Sequence, residues 1–180
     1  MKKIILIRHA KSDWDNPSLS DYDRPLAARG LEDAPKMAAL LKNRAIKVDG
    51  ILSSTAKRAK QTAEITAKVL GISDTHIQWD RSLYHASAAH LLAVIQAQSA
   101  QLQTLILVGH NPGLTELIVD LGVNLDNLPT AGQFAFTMLS DDWKDLSATN
   151  CSFDWWDSPK KPGTAGSSIK VSQPSKASSL

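Results

Sequence analysis

Apolar residues recur along the chain in two alternating patterns, which are short continuous runs and longer runs with helical spacing. Residues 3–7 form a continuous apolar run, typical of a strand buried on both faces of a parallel sheet, and residues 104–108 form the most convincing further strand. Residues 50–52 and 77–79 are predicted as two shorter strands. Helical spacing covers residues 30–44, 55–70, 88–98 and 112–121. This β-α-β-α order predicts an α/β fold, a three-layer sandwich whose mostly parallel central sheet carries helices on both faces.

Two features modify this simple alternation. Pro35 lies inside the run 30–44, so we expect it to begin a new helical segment or to kink the helix. Residues 133–139 and 152–156 alternate weakly between apolar and polar positions. This alternation predicts an antiparallel pair of strands near the end of the sheet.

The charge is divided unevenly between a body and a tail. The chain has 180 residues, with 20 Lys or Arg against 18 Asp or Glu, and a formal net charge of +2. Residues 158–180 hold four lysines, no acidic residue and few large apolar ones. Such a segment buries too little surface to offset its ordering entropy. We therefore expect one folded domain over residues 1–157 and a disordered basic tail, rich in Ser, Pro and Lys, over residues 158–180.

Composition also limits the class of protein. The single Cys151 excludes an internal disulfide, and no run approaches the roughly 20 apolar residues of a membrane span. The apolar run after Met1 ends at Arg8, which is too short for a signal peptide. Four scattered lysines without aromatic neighbours give little basis for nucleic-acid binding. We expect a cytoplasmic protein that binds neither membranes nor nucleic acid.

Basic side chains follow three of the predicted strands. Arg8 and His9 follow the first strand, Arg58 lies just after the second, and His110 follows the strand at 104–108. Ligands of open α/β sheets bind beyond the carboxyl ends of the strands, so these side chains should share one edge of the sheet. Two guanidinium groups and two imidazoles at one edge predict a site for a phosphate rather than for a cation.

Two predicted helix starts lie at the same edge. Asn111 is predicted to be the N-cap of the helix after His110, with Pro112 as its first residue. Ser54 or Thr55 is predicted to cap the preceding helix at 55–70 in the same way. The free N–H groups of helix starts bind anions, which favours the phosphate site further.

At these positions the sequence resembles the histidine phosphatase (phosphoglycerate mutase-like) superfamily. The matching blocks are Leu6-Ile7-Arg8-His9-Ala10, the segment 53–63 with the pattern Ser-Ser-x-x-x-Arg-Ala-x-Gln-Thr, and Val108-Gly109-His110-Asn111. The short chain, Arg24-Pro25-Leu26 and Leu83-Tyr84-His85 are most similar to the SixA-type phosphohistidine phosphatase branch. The resemblance covers about residues 2–157 and implies a phosphoglycerate mutase-like fold.

The resemblance implies that His9 is a nucleophile that accepts a phosphoryl group, which water then removes. Arg8 and Arg58 would clamp the phosphoryl oxygens and help to keep the imidazole neutral, and His110 would donate a hydrogen bond to the same oxygens. We expect no metal and no cofactor, because the arginines supply the positive charge. A structural alternative is that His9 is a buried histidine that donates to a backbone carbonyl.

Three further points stay open at the level of sequence. Arg8 and Arg58 could instead pair with acidic residues such as Asp80 or Asp23. Ala10 replaces the usual glycine of the signature, which is a mild change.

The third point is a missing carboxylate, because none follows Leu83, where phosphate-ester enzymes of this superfamily carry a general acid. Asp80, Tyr84 or His85 could substitute for it. An alkoxide leaving group needs a proton donor more than an imidazole does, so this departure favours a phosphoramidate substrate.

These features predict a phosphatase that removes phosphate from a phosphohistidine of a phosphorelay protein, such as a histidine phosphotransfer domain. About 157 folded residues leave little chain for a lid, and an open pocket suits a protein substrate. Two alternatives remain. One is a phosphatase of the same superfamily acting on small phosphate esters, and the other is a weakly catalytic module that binds phosphate or a phosphoprotein.

Overall fold

The structure is a computed structural model that describes residues 1–163. Its strands are β1 (Lys2–Arg8), β2 (Gly50–Ser54), β3 (Ile77–Asp80), β4 (Thr104–Gly109), β5 (Gln133–Met138) and β6 (Cys151–Asp157). Its α-helices are α1 (Ala28–Asn43), α2 (Lys57–Leu70), α3 (Ala88–Gln96) and α4 (Gly113–Asp120). Short 3₁₀ helices cover Asp21–Asp23, Asp74–His76, Arg81–Leu83 and Trp143–Asp145.

The six strands form one sheet in the order β3-β2-β4-β1-β5-β6. The first four strands of that order run parallel to one another, whereas β5 is antiparallel to both β1 and β6. The continuous apolar runs explain the parallel part, since β2 and β4 are buried along their whole length. The predicted antiparallel pair at the end of the sheet is confirmed.

Two apolar layers cover the sheet. On one face, α3 and α4 contribute Leu91, Ile95, Leu114 and Leu117 to a cluster with Leu6 and Leu107 of the strands. On the other face, α1 and α2 contribute Leu41, Ala59, Ala63 and Ala67, which pack with Ile5 and Ile106. The strands therefore alternate their side chains between two cores. This arrangement confirms the predicted α/β sandwich with a mostly parallel sheet and helices on both faces.

Helix α1 is longer and more regular than the sequence suggests. It runs without interruption through Pro35, so the prediction of a new segment at that position is wrong. Leu31, whose carbonyl would accept the N–H that Pro35 lacks, is 50 % exposed, and water can serve as its donor there. The buried face of the helix is formed instead by Ala34, Met37, Ala38 and Leu41.

The chain continues beyond β6 as a turn. Ser158 is buried and forms an isolated bridge with Lys161, and the Gly163 N–H donates to Asp157 Oδ1 at 2.5 Å. Residues 158–163 belong to the predicted disordered tail but are described here as turns. Residues 164–180, where the rest of that prediction falls, lie outside the described residues. No helix within residues 1–163 is long and apolar enough to cross a membrane.

Candidate active site

The carboxyl ends of β1, β2 and β4 meet at one edge of the sheet and bring the predicted site residues together. The register pairs Arg8 with Gly109 and Ser53 with Val108, so the three strands end at the same level. His9 and His110 follow directly, and their ring centroids are 5.1 Å apart. Arg58 lies in the first turn of α2 and reaches the His9 ring. The structure thus places Arg8, His9, Arg58 and His110 in one cluster.

His9 is buried in an orientation that exposes one ring nitrogen to the cluster. Its Nδ1 lies 2.8 Å from the carbonyl oxygen of Ala10, and its Nε2 lies 3.3 Å from Arg58 Nε. A carbonyl only accepts and a guanidinium N–H only donates, so the neutral tautomer carries its proton on Nδ1 and its lone pair on Nε2. The bond to Ala10 matches the structural alternative for His9, and the Nε2 lone pair accepts from Arg58. A ligand that takes over the Arg58 N–H would free this lone pair as a nucleophile.

The environment of His9 keeps its ring neutral. Burial lowers the pKa of His9 from 6.5 to about 4, and the positive charges of Arg58 and Arg8 act in the same direction against the hydrogen bond to Ala10. Ala10, at the position of the usual glycine, is fully buried, and its N–H donates to Thr62 Oγ1 at 3.0 Å. The methyl group is therefore accommodated beside the nucleophile candidate.

Arg58 is buried and uses all three of its nitrogens. Nε donates to His9 Nε2, Nη1 donates to the Asp21 carbonyl at 2.5 Å, and Nη2 donates to Asp21 Oδ2 at 3.0 Å. The ion pair with Asp21 replaces the alternatives considered from sequence, which were Asp80 and Asp23. An anionic substrate has to share or replace these contacts to bind Arg58.

Arg8 and His110 each have one buried side-chain nitrogen without a hydrogen-bond partner within residues 1–163. Arg8 Nη1 donates to the Leu128 carbonyl at 2.9 Å, and His110 Nε2 lies 2.8 Å from Ser54 Oγ. Arg8 Nε and His110 Nδ1 are buried and have no hydrogen-bond partner within residues 1–163. Burial, His9 and Arg58 lower the pKa of His110 to about 2, so its ring is neutral near pH 7. Unpartnered buried polar atoms are rare, and two of them beside His9 indicate a site for a ligand with acceptor oxygens.

Asp21 is a central residue of the site that the sequence reasoning missed. Its Oδ1 accepts from Arg24 Nη1 at 2.8 Å, and its Oδ2 accepts from Tyr84 Oη at 2.6 Å as well as from Arg58. His85 Nε2 lies 3.2 Å from the same oxygen. Partial burial raises the pKa of Asp21, but these donors outweigh burial and hold the pKa well below its usual value. Asp21 is therefore ionised near neutral pH.

A signal for Asp21 existed in the sequence. Asp21 lies three residues before Arg24, the first residue of the Arg24-Pro25-Leu26 segment that supported the resemblance. Residues at this spacing can form an ion pair, and Asp21 pairs with Arg24 in the structure. Its approach to Arg58 depends on the path of residues 12–26, which no local pattern predicts. The loop is tied down by a bridge between Ser12 and Leu26 and by the Tyr22 Oη to Thr55 Oγ1 bond of 2.6 Å.

The three candidate substitutes for the missing carboxylate have different positions. Tyr84 and His85 lie in the site through their contacts with Asp21, and Tyr84 also packs edge-on against the His110 ring. Burial and the Asp21 carboxylate raise the pKa of Tyr84 above its usual value of 10.0, so Tyr84 holds its proton tightly. Asp80 caps the turn that follows β3, where its Oδ1 accepts from the Ser82 N–H at 2.8 Å.

The two helix starts differ from the predictions. Helix α4 begins at Gly113 with Pro112 in the N-cap position, so Asn111 lies one residue further out than predicted. Asn111 Oδ1 nevertheless accepts from the Thr115 N–H at 3.2 Å, which is the contact of a capping side chain. Helix α2 has Ala56 as its N-cap without a side-chain bond, and neither Ser54 nor Thr55 caps it. Their hydroxyls are engaged by His110 and Tyr22 instead.

The charge of the site comes from side chains of the protein. Within the part of the chain that the structure describes, no group of three or more His, Cys, Asp or Glu side chains is arranged to hold a metal ion. The positive charges of Arg58, Arg8 and Arg24 all lower the pKa of His9, and Arg58 also contacts the ring. Such a cluster has the positive charge and the hydrogen-bond donors that suit a tetrahedral oxyanion.

The site lies at the carboxyl edge of a mostly parallel α/β sheet, where His9 follows β1, His110 follows β4 and Arg58 of α2 reaches the His9 ring. Residues 4–84 match the model of the histidine phosphatase superfamily (branch 1). The chain belongs to this superfamily and, within it, to the SixA-type branch. Membership supports phosphatase activity.

Three relatives illustrate the similarity. An uncharacterized chloroplastic protein of Arabidopsis thaliana is 31% identical over an alignment of 162 positions that covers 86% of this chain and 74% of the relative. A solved structure of a candidate phosphohistidine phosphatase SixA from Agrobacterium tumefaciens is 30% identical, with a TM-score of 0.74 over 88% of this chain and 98% of its own. The protein histidine phosphatase SixA complexed with tungstate has the same fold, at 23% identity, a TM-score of 0.74, and coverage of 88% and 97%.

Proposed function

We propose that the protein is a phosphatase that removes the phosphoryl group from a phosphohistidine side chain of another protein, through a phosphohistidine intermediate on His9. The observation that carries this proposal is the neutral His9 ring with its Nε2 lone pair facing a cluster of basic donors. Arg8 Nε and His110 Nδ1 supply two unused buried donor or acceptor positions beside it. A phosphorelay protein with a histidine phosphotransfer domain has the required chemistry, and a small phosphorylated substrate is the alternative.

In the first step, His9 Nε2 attacks the phosphorus atom. The bond from phosphorus to the substrate nitrogen breaks, and its electron pair returns to the departing imidazole. Arg58 and Arg8 stabilise the charge on the three transferred oxygens, which is the main task of a protein in phosphoryl transfer. The bond that forms and the bond that breaks are both phosphorus–imidazole bonds, so this step is close to balanced in energy.

In the second step, water attacks the phosphorus atom of phosphorylated His9. The bond to Nε2 breaks, its electron pair returns to the ring, and both protons of the water stay with the released phosphate. His110 has a supporting role in both steps. Ser54 Oγ accepts from the Ala56 N–H and can donate its own proton to His110 Nε2. The neutral His110 ring then carries its proton on Nδ1, and this N–H donates a hydrogen bond to a phosphoryl oxygen.

Two side chains of the site, Asp21 and Tyr84, support a preference for phosphohistidine because neither donates a proton readily. Asp21 is the carboxylate nearest to the cluster, but its four contacts keep it ionised, and Tyr84 holds its proton too tightly to donate it readily. An alkoxide leaves slowly without a proton, with a typical loss of about 100-fold or more. A phosphohistidine with a protonated far ring nitrogen leaves as neutral imidazole and needs no acid from the protein.

A comparison of leaving groups tests the proposal. The substrates are a chemically phosphorylated histidine peptide, an aryl phosphate and an alkyl phosphate, assayed by phosphate release. We expect turnover in the order phosphohistidine, aryl ester, alkyl ester, because the need for a proton donor increases in that order. Equal or faster turnover of the alkyl ester would identify a small-ester phosphatase. Saturable binding of the peptide without phosphate release would identify a binding module instead.

A further inference from the structure

A second charged feature lies at the same edge of the sheet, beside the site but outside it. It is an open cleft with a volume of about 440 Å³. We call it the basic cleft, and its walls include Lys11, Arg29, Asn127, Trp156, Lys160 and Lys161. None of the proposed catalytic residues lines it, so its charge is not explained by the chemistry at His9.

The topology fixes where the basic cleft lies relative to His9. Gln133 at the start of β5 pairs with Ile7 on one side and with Asp157 on the other. The segment before β5 and the segment after β6 therefore emerge at the edge where β1 ends. Neighbouring strands are about 4.8 Å apart, so the end of β6 lies about 10 Å from the end of β1. A ligand in the basic cleft would lie about that far from the His9 end of the site.

The wall of the basic cleft is connected to the site by hydrogen bonds. The Leu128 carbonyl accepts from Arg8 Nη1 and from Asn111 Nδ2, each at 2.9 Å. Asn111 Nδ2 also donates to Asn127 Oδ1 at 3.0 Å. Arg8 and Asn111 thus hold the segment that contains Asn127 and Leu128. A ligand that spans the site and the basic cleft would pass along this ordered segment.

The charge of the basic cleft is strongly one-sided. Four of its lining residues are basic, and Asp33 is the one acidic side chain among its lining residues, 3.5 Å from Arg29. Within residues 1–163, Lys11 and Lys160 make no ion pair, and both are exposed. The buried Trp156 adds an indole Nε1–H without a hydrogen-bond partner in the same part of the chain. These features favour an anionic ligand with acceptor oxygens.

We propose that the basic cleft binds an acidic segment of the phosphoprotein substrate, about 10 Å from the phosphohistidine that enters the site. This proposal rests on the proposed function. An extended chain advances about 3.3 Å per residue, so the acidic side chains would lie about three residues from the phosphohistidine. The protein's own residues 164–180 do not complement the cleft, since they hold two lysines and no Asp or Glu. A nucleic acid fits poorly because the one aromatic wall residue is only 8% exposed, too little for base stacking.

Two phosphohistidine peptides that differ in one feature test the proposal. One carries Glu at the positions three and four residues from the phosphohistidine, and the other carries Gln there. We expect an about threefold or larger decrease in KM for the Glu peptide, with kcat unchanged, because exposed ion pairs each contribute modestly. The difference should vanish in the double variant Lys11→Glu, Lys160→Glu. It should persist in Lys47→Glu, an exposed lysine that precedes β2 at the opposite edge.

Equal KM values for the two peptides, or a difference that survives in the double variant, would overturn the proposal while leaving the proposed function intact. If neither peptide is dephosphorylated, the proposed function fails, and binding is then tested with the unphosphorylated Glu peptide. Its titration should move the Trp156 indole N–H signal in the NMR spectrum, and the Gln peptide should not. If the Glu peptide does not shift the Trp156 signal, an acidic protein segment is not the ligand. The same conclusion would follow if a single-stranded oligonucleotide shifted that signal at a lower concentration than the Glu peptide does.

Discussion

Acidification below about pH 6.5 should destabilise this protein through its buried histidines. The pKa of His9 is about 4 in the folded protein and 6.5 for a solvated histidine. Below pH 6.5, His9 therefore binds a proton in the unfolded chain but stays neutral in the folded protein. The free energy of unfolding falls as the pH drops towards 4. At about 1.4 kcal/mol per pH unit, His9 alone costs about 2 kcal/mol at about pH 5. His110 contributes in the same direction, since its pKa is also lowered.

Urea unfolding of the wild type and of His9→Asn, followed by tryptophan fluorescence at about pH 7.5 and about pH 5, measures this effect. Asn retains a donor for the Ala10 carbonyl but does not titrate. We expect the wild type to lose about 2 kcal/mol more than the variant between the two pH values. A matched control is His76→Asn, because His76 is exposed and its replacement should leave the wild-type loss unchanged. Equal losses in the wild type and in His9→Asn would refute the reasoning.

Three further predictions concern the site and its support. Asp21→Asn should lower the inhibition constant of inorganic phosphate about fivefold, because removing a charge that competes for Arg58 gains about 1 kcal/mol for a partly exposed pair. Arg58→Lys should lower kcat for an aryl phosphate about 100-fold or more, since an ammonium group cannot reproduce the guanidinium contacts. Gly30→Ala should lower the free energy of unfolding by about 1–3 kcal/mol, because its Cβ would lie 2.1 Å from the Lys11 carbonyl oxygen.

Two of these predictions have a control variant within the chain, and the prediction for Asp21→Asn is checked by the direction of the change. A phosphate inhibition constant that rises in Asp21→Asn would show that the carboxylate helps Arg58 to bind phosphate. Arg29→Lys, at an exposed arginine, is the control for Arg58→Lys. A comparable loss of kcat in the two variants would argue against a specific role of the Arg58 guanidinium. Gly50→Ala introduces a Cβ with its nearest neighbour at 3.4 Å and should be tolerated better than Gly30→Ala. Equal melting temperatures of the two glycine variants would contradict the packing argument.

The sequence predicted the features that local patterns determine. The apolar runs 3–7 and 104–108 belong to buried strands, and the alternation of strands and helices indicates a mostly parallel sheet. His9 and His110 were predictable because each directly follows such a run, and strand ends converge at one edge of the sheet. Arg58 was predictable because the first turn of α2 begins just beyond β2.

The features that the sequence did not predict depend on tertiary structure. Asp21 reaches Arg58 only because residues 12–26 fold back over the edge of the sheet, and an acidic residue in a polar loop carries no sign of its partner. Helix α1 passes through Pro35 because the turn that loses a hydrogen bond faces solvent. Ser54 does not cap α2, because the helix begins at Lys57 with Ala56 as its N-cap, two residues beyond Ser54.

The central claim is that His9 carries the phosphoryl group during turnover, and rapid-quench labelling tests it most directly. Radiolabelled phosphohistidine peptide is mixed with the wild type and with His9→Ala, and the denatured protein is treated with acid and with base. We expect a label on the wild type that is lost in acid and kept in base, that maps to His9, and that is absent from the variant. A base-labile label, a label on another residue, or near wild-type turnover by His9→Ala would contradict the account.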